Sequence, residues 1–231
     1  MRYKTVVEGR FVNRPNRFIA EVLIDGERHT VHVKNTGRCK ELLLPHSRVW
    51  LCMSDNPQRK TKYDLIAVEK KREGRLSLLV NMDSQIPNDV VAEWLRGSFL
   101  FSNDARVVRE VTYGNSRFDI YVEDGERKAF VEVKGVTLEM DGVAMFPDAP
   151  TERGVKHINE LVRCVEDGYE AYVIFVIQMQ EMKAFRPNDL THKAFGDALR
   201  QAEASGVRVI AVDCKVTADT VEIDKQIPVS L

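Results

Sequence analysis

Residues 110–134 read EVTYGNSRFDIYVEDGERKAFVEVK, and this stretch decides how the second half of the chain folds. Three β-type runs, 107–113, 117–123 and 128–134, are separated by Gly114-Asn115 and Asp124-Gly125, both good two-residue hairpin dipeptides, so the segment reads as an antiparallel meander. In a two-residue hairpin the residues flanking the loop face each other and pairing counts outward from them. Tyr113 opposite Ser116 then puts Glu110 opposite Asp119. Glu123 opposite Glu126 puts Asp119 opposite Phe130, with Glu132 on the adjacent diagonal, roughly 7–8 Å away. Strand alternation gives one face to Glu110, Asp119, Glu132 and Lys134, and the other to Phe118, Ile120, Val122, Val131 and Val133, a core face.

Three carboxylates on neighbouring strands repel one another, and like charges placed opposite destabilise a sheet. A hard divalent cation bound through oxygen offsets that repulsion. Mg²⁺ is held by one or two carboxylates together with waters and substrate phosphates. Charges scattered over a solvated face are the plainer alternative. The hairpin parity, the apolar opposite face and the helix that follows favour the metal site, with Mg²⁺ or Mn²⁺ as its ion.

At 231 residues the chain is long enough for one large domain or two small ones. Its 34 basic and 35 acidic residues leave a formal charge of −1, so any nucleic-acid surface must be a local patch. The start, MRYKTVVEGRF, is charged, and the apolar run 171–177 is only strand length, so neither a signal peptide nor a membrane span is expected and a cytoplasmic protein is. Cys39, Cys52, Cys164 and Cys214 form no CxxC pair and read as reduced thiols. His29 and His32, three apart on a strand, face opposite sides and form no metal pair.

From the start to about residue 80 the pattern is short strands: 4–13, 17–24, 29–33, 48–53, 63–70 and 75–80, with a brief helix over 39–44 stopped before Pro45. Three strands, a short helix and further strands is the layout of an OB-type Greek-key barrel, with an SH3-like barrel as the competitor. Arg14, Arg17, Lys34, Arg38, Lys40, Arg59, Lys60, Lys62, Lys70, Lys71 and Arg72 make this half rich in cations, either a solvated surface or a patch for a phosphate backbone. Asn35 and Arg38 stand out because they flank a Gly-containing loop that opens the expected helix.

Residues 81–88 read as a linker, and Pro87-Asn88-Asp89 starts a helix that ends at Gly97. After the meander, 135–150 reads as a loop and, lying next to the metal strand, as a lid over substrate. A helix over 151–167 follows, with Val155, Ile158, Val162 and Val165 as its buried stripe and Arg153, Lys156, His157 and Glu160 on other faces. An apolar strand at 169–178 then completes a βαβ crossover and lies parallel to the Lys134 strand. A helix begun by Asn188-Asp189 and running over 192–205, a strand over 207–212 and a terminal hairpin over 216–229 finish the chain, which shows no internal repeat.

Helix, three antiparallel strands, helix and parallel strand, with an acid on the second strand and Glu-x-Lys on the third, resembles the PD-(D/E)XK nuclease core. Four strings extend the resemblance: Asn35-Thr36-Gly37-Arg38, Arg117-Phe118-Asp119, 132–138 (EVKGVTL) and 146–154 (FPDAPTERG). They are similar to those of the sugar fermentation stimulation protein A family over essentially the whole chain. The resemblance implies an α+β protein of two domains, an OB-fold-like β-barrel over 1–82 and a PD-(D/E)XK nuclease-like α/β domain with a mixed sheet over 83–231. It also implies DNA binding with little sequence preference and a link to regulation of sugar (maltose) metabolism. One departure is visible: Arg117-Phe118 stands where the motif's Pro-Asp would precede the first acid.

The expected site follows from these assignments. Asp119 and Glu132 hold the metal with the Val133 carbonyl, Lys134 orients a water and stabilises charge on the phosphate, and Glu110 completes the catalytic group. Asn35, Arg38, Arg153, Lys156 and His157 are the expected contacts to DNA or another nucleic acid. The competing expectation is a non-catalytic DNA-binding transcription regulator that keeps the nuclease fold. The sequence leaves the oligomeric state open, a dimer included.

Overall fold

The computed structural model describes residues 1–35 and 37–231; Thr36 of the Asn35–Arg38 string lies outside the described residues. The chain forms two compact units. One comprises Met1–Ile86, Gln178–Gln180 and Cys214–Glu222; the other comprises Pro87–Ile177, Glu181–Asp213 and Ile223–Leu231.

The first unit contains β1 (Val6–Asn16), β2 (Ile19–Ile24), β3 (Glu27–Val33), β4 (Arg48–Met53), β5 (Tyr63–Lys70) and β6 (Leu78–Asn81). Neighbours run β3-β2-β1-β4-β5-β6, and a parallel β3–β5 pairing at His32–Asp64 and Val33–Leu65 closes the first five strands into a barrel. This is the OB-type arrangement, and it decides against the SH3-like alternative. On β2, Ala20, Val22 and Ile24 point into the core while Ile19, Glu21 and Leu23 are half-buried on the other side. Asp25 and Gly26 both have positive φ, 51° and 85°, the backbone a type I′ hairpin demands. Gly9 is needed for space: a Cβ there would lie 2.9 Å from the Leu23 carbonyl oxygen.

Two expectations for this unit are corrected. The turn-type residues 13–16 do not end the first strand; they shift the β1–β2 register between Phe11 and Asn13 and between Asn13 and Asn16 while the strand runs on. Residues 39–44 form a single turn rather than a helix. Leu42 and Leu43 donate to the Cys39 carbonyl, but Cys39 sits at φ 45° and Pro45 blocks any continuation.

The second unit contains all or most of each of α1 (Ile86–Leu95), β7 (Arg106–Tyr113), β8 (Ser116–Asp124), β9 (Arg127–Val136), β10 (Leu138–Met140), β11 (Val143–Phe146), α2 (Glu152–Glu166), β12 (Glu170–Ile177), β13 (Ala184–Pro187), α3 (Asp189–Ala204), β14 (Arg208–Val216) and β15 (Val221–Ile227). Its main sheet has the order β15-β14-β12-β9-β8-β7. The meander β7-β8-β9 is antiparallel, and β12 lies parallel to both β9 and β14, as expected of a PD-(D/E)XK-like core. β12 is buried from Ala171 to Ile177, the burial of a central strand covered on both faces.

The second hairpin turns one residue later than its dipeptide suggests. Asp124 pairs with Arg127 around Gly125-Glu126, and only Gly125 has positive φ, 63°. Glycine at the first central position is the signature of a type II′ turn, which displaces the type I′ turn expected of Asp-Gly. The partner therefore slips by two residues, parity survives, and the count brings Asp119 across from Glu132 instead of Phe130.

The expected lid is instead a β-hairpin. β10 and β11 pair around Asp141-Gly142 (φ 54° and 86°), and β13 adds to β11 in parallel to give a three-stranded sheet. The buried face of α2 is also rotated from the expected stripe: Gly154, His157, Ile158, Glu160, Leu161 and Cys164 are buried, so two polar residues replace Val155, Val162 and Val165. α3 starts at Asp189, at the expected Asn188-Asp189 signal, and is kinked at His192 (φ −155°). β14 runs four residues past Val212.

An ion pair braces β9 against β12. Arg127 bonds Glu170 through two nitrogens, at 2.6 and 2.8 Å, and the Tyr172 hydroxyl donates to the same carboxylate at 2.5 Å. The Arg127 bonds pull the Glu170 pKa down to about 2. A carboxyl depressed on folding stabilises the native state above its unfolded pKa, and that contribution is lost as pH falls through the folded value. Glu170→Gln should therefore lower the urea midpoint near neutral pH, and the difference from wild type should shrink from the ordinary carboxylate range down to about 2.

Candidate active site

The site forms where the β8–β9 ladder stops. Pairing runs from Asp124–Arg127 to Ile120–Val131; beyond it, Asp119 Oδ2 accepts the Val133 amide at 2.8 Å in place of a backbone partner. Its Oδ1 accepts from Asn88 Nδ2 at 2.9 Å, which ties α1 to β8. Asp89, the next residue of α1, pairs with Arg109 on β7. The start of α1 is therefore fixed across the first hairpin by two polar links.

Glu132 is only 2 % exposed. Its Oε1 accepts from Lys134 Nζ at 2.5 Å and from His157 Nδ1 at 2.7 Å. Its Oε2 is buried and has no hydrogen-bond partner among the described residues. A bare buried carboxylate oxygen is costly, since the desolvation of that lone pair goes uncompensated. Burial pushes the Glu132 pKa up, but the His157 bond and the charge and bond of Lys134 outweigh it and hold the group below the ordinary glutamate value. Asp119 moves the other way: burial, then the Glu132 charge, raise its pKa against the opposing Val133 amide, Lys134 charge and Asn88 bond. Neighbouring carboxylates of unequal proton affinity are the signature of a shared anionic site.

The structure brings Asp119, Glu132, Lys134 and His157 together with the amide of the buried Val133, and no hydrogen bond or ion pair joins Glu110 to that group among the described residues. Glu110 adopts φ 58°, and its pair with Asp119 is missing from a ladder that continues on both sides, at Val111–Phe118 and Arg109–Ile120. The left-handed residue interrupts the ladder at the position that would pair Glu110 with Asp119. Its side chain is 59 % exposed and lies 3.5 Å from Arg117.

His157, expected off the buried stripe of α2 and among the nucleic-acid contacts, lies inside instead. It is 7 % exposed and lies edge-on to Phe118, at 6.3 Å between ring centroids. Its Nδ1 donates to Glu132 while Nε2 accepts from Arg153 Nε at 3.4 Å, so Arg153 steadies the histidine rather than standing free. Lys156 donates to the Asn115 carbonyl at 3.1 Å from an exposed position. In the first unit, Asn35 donates to the Met82 carbonyl and accepts the Gly37 amide, so its side chain pins the loop, while Arg38 is exposed. Among the described residues, no group of three or more His, Cys, Asp and Glu side chains is arranged to hold a metal by itself.

Asn88 and the positioning role of His157 were not legible beforehand. Asn88 read only as part of a helix start, and a histidine one turn from an arginine reads as a charged face; only the tertiary packing shows that each meets a carboxylate. His157→Leu should destabilise the protein by about 1–3 kcal/mol in urea unfolding, because a buried carboxylate loses a donor, and His157→Asn, whose amide can take the Nδ1 position, should recover much of that loss.

Comparison with known proteins bears on the whole chain. Residues 85–220 match the family model described as "Sugar fermentation stimulation protein RE domain", and residues 12–79 match "SfsA N-terminal OB domain". A sugar fermentation stimulation protein homolog of Desulfitobacterium hafniense (strain Y51) is 55 % identical over 100 % of this chain and 99 % of its own length. One from Clostridium beijerinckii is 52 % identical over the full length of both. Among solved structures, one described as "The structure of Pyrococcus Furiosus SfsA in complex with Ca2+" has a similar fold, with a TM-score of 0.87 at 24 % identity over 100 % of this chain and 98 % of that one. No helix among the described residues is long and apolar enough to cross a membrane.

Proposed function

The chain belongs to the sugar fermentation stimulation protein family, and from its carboxylate site we propose that it binds DNA with little sequence preference and hydrolyses phosphodiester bonds with a divalent metal. The observation that carries this reading is Glu132 Oε2, an ionised oxygen buried without a partner beside a second carboxylate. A cation bound through oxygen would satisfy it. The fit is to a hard ion: Asp119 and Glu132 supply oxygens, no cysteine enters the site, and too few acids are present to enclose the ion, which suits Mg²⁺ or Mn²⁺ completed by water and substrate oxygens. The Ca²⁺ complex of the Pyrococcus furiosus relative supports the same choice of ligand chemistry.

Asp119 and Glu132 would hold the ion, with the Val133 carbonyl as a further oxygen. When bound, the ion polarises the scissile phosphate and lowers the pKa of a water. Lys134 would orient that water and stabilise charge developing on the phosphate oxygens. His157 fixes Glu132 through Oε1 and so would leave Oε2 free for an ion, while Asn88 and the Val133 amide hold Asp119. Arg38, Arg153 and Lys156 are the proposed contacts to the nucleic-acid backbone; Asn35 contributes by shaping the loop beside Arg38.

Glu110 is exposed and paired with Arg117 rather than bonded into the carboxylate group, and this favours a second reading: a DNA-binding regulator that retains the nuclease fold without turnover. A part in sugar metabolism rests on the family's name.

Incubation with single-stranded, duplex and branched DNA and with RNA, with and without Mg²⁺ or Mn²⁺, separates the two. The nuclease reading expects metal-dependent cleavage that falls by at least about 100-fold in Asp119→Ala and in Lys134→Ala while binding persists. Binding that ignores the metal, with no cleavage of any of these substrates, establishes the regulator.

A further inference from the structure

We propose that the first unit carries a subsite for the backbone of single-stranded nucleic acid, built from Arg17, Arg38 and Lys40 beside the exposed ring of Phe18. The proposal rests on the reading of this protein as a nucleic-acid binder and narrows the form of strand it takes.

The cations of this half are not equivalent once folded. Lys34 lies between Asp83 and Asp64, at 3.2 and 3.5 Å, and Arg59 grips Asp64 with two nitrogens. Arg14 gives its guanidinium to four backbone carbonyls, those of Arg17, Asn35, Gly37 and Arg38, at 2.6–2.9 Å. These three brace the barrel and its loops. Arg17, Arg38 and Lys40 are exposed and make no ion pair among the described residues, and all three line one open cavity of about 250 Å³ into which no described acidic side chain projects. On a chain of formal charge −1, three uncompensated cations around one concavity make a local field that favours a polyanion.

The frame of the cavity is preorganised. Arg14 ties the β1–β2 turn and the segment after β3 to a single guanidinium, and Asn16 Oδ1 accepts the amides of Phe18 and Ile19, at 2.9 and 3.1 Å, fixing the turn that projects Arg17 and Phe18. The cations therefore lose little freedom of placement when phosphates arrive. Phe18 is 49 % exposed, with the Arg17 guanidinium 5.3 Å from its ring centroid. An exposed aromatic beside a cationic groove is the pairing by which unstacked bases and their backbone are held together. A duplex keeps its bases stacked inside and cannot use the ring, so the partner is a single strand.

The test uses full-length protein carrying Asp119→Ala, which keeps the strand intact, and follows fluorescence anisotropy of labelled oligo-dT and of a matched duplex over a salt series. The parent should prefer the single strand. Arg17→Ala/Arg38→Ala/Lys40→Ala should weaken binding on the order of 10-fold or more and reduce the slope of log affinity on log salt by about 2, the loss of three backbone contacts. Phe18→Ala should weaken binding by about 5-fold or more without changing the slope, since the ring carries no charge. Lys60→Ala/Lys71→Ala, which removes two exposed cations outside the cavity, should leave both quantities unchanged. An unaltered slope in the triple variant, an equal effect from Lys60 and Lys71, or a preference for duplex overturns the subsite while nucleic-acid binding stands. Absence of binding to either oligonucleotide overturns both.

Discussion

Two neighbouring carboxylates, Glu132 buried and Asp119 half-buried, are the constraint to which the second unit is fitted. Asp119 and Glu132 meet where the β8–β9 ladder ends, and the divergence lets one carboxylate cap the Val133 amide while the other sits between Lys134 and His157. Without those donors, two acids at such burial would drive each other to protonate. Much of the surrounding architecture supplies them: α1 delivers Asn88, β9 delivers Lys134, and α2 delivers His157 with Arg153 behind it.

The core of this arrangement was legible because it depends on parity more than on register. Assigning the second hairpin to Asp124-Gly125 misplaced its partner by two residues, yet a slip of two keeps every side chain on its face, so Asp119 and Glu132 were still matched. The position of Glu110 shows the complementary limit, since its expected pairing with Asp119 is absent from the ladder. A single left-handed residue interrupts the ladder locally, and nothing in the string Arg109-Glu110-Val111 announces it. The strands of the first unit were readable from alternation and the Asp25-Gly26 turn, whereas β10, β11 and β13 span only three or four residues each and exist because they pair with one another.

Polar residues on helix α2 show a further limit of periodic reading. Val155, Val162 and Val165 look like the buried stripe, but His157 and Glu160 are inside. Hydrophobicity alone cannot rank a histidine that finds a carboxylate partner above a valine that finds partial cover. The cations of the first unit make the same point from the surface: composition counts Lys34, Arg59 and Arg14 with Arg17, Arg38 and Lys40, and only tertiary contacts separate braces from free charges.

The two oxygens of Glu132 end up chemically distinct, and that distinction orders the site. Oε1 accepts two hydrogen bonds, one from an ammonium, which fixes the carboxylate plane and keeps the group ionised despite its burial. Oε2 is left with its charge and no donor. Asp119 is the reverse case, with each oxygen holding a neutral donor and the group pushed toward its protonated form. A cation entering this pair would gain most at Oε2, where nothing must be displaced, and its charge there would oppose the burial and the Glu132 charge that together raise Asp119. On the proposed metal-binding reading, binding at Glu132 would prepare Asp119 as the second ligand, and the pair would act as one site.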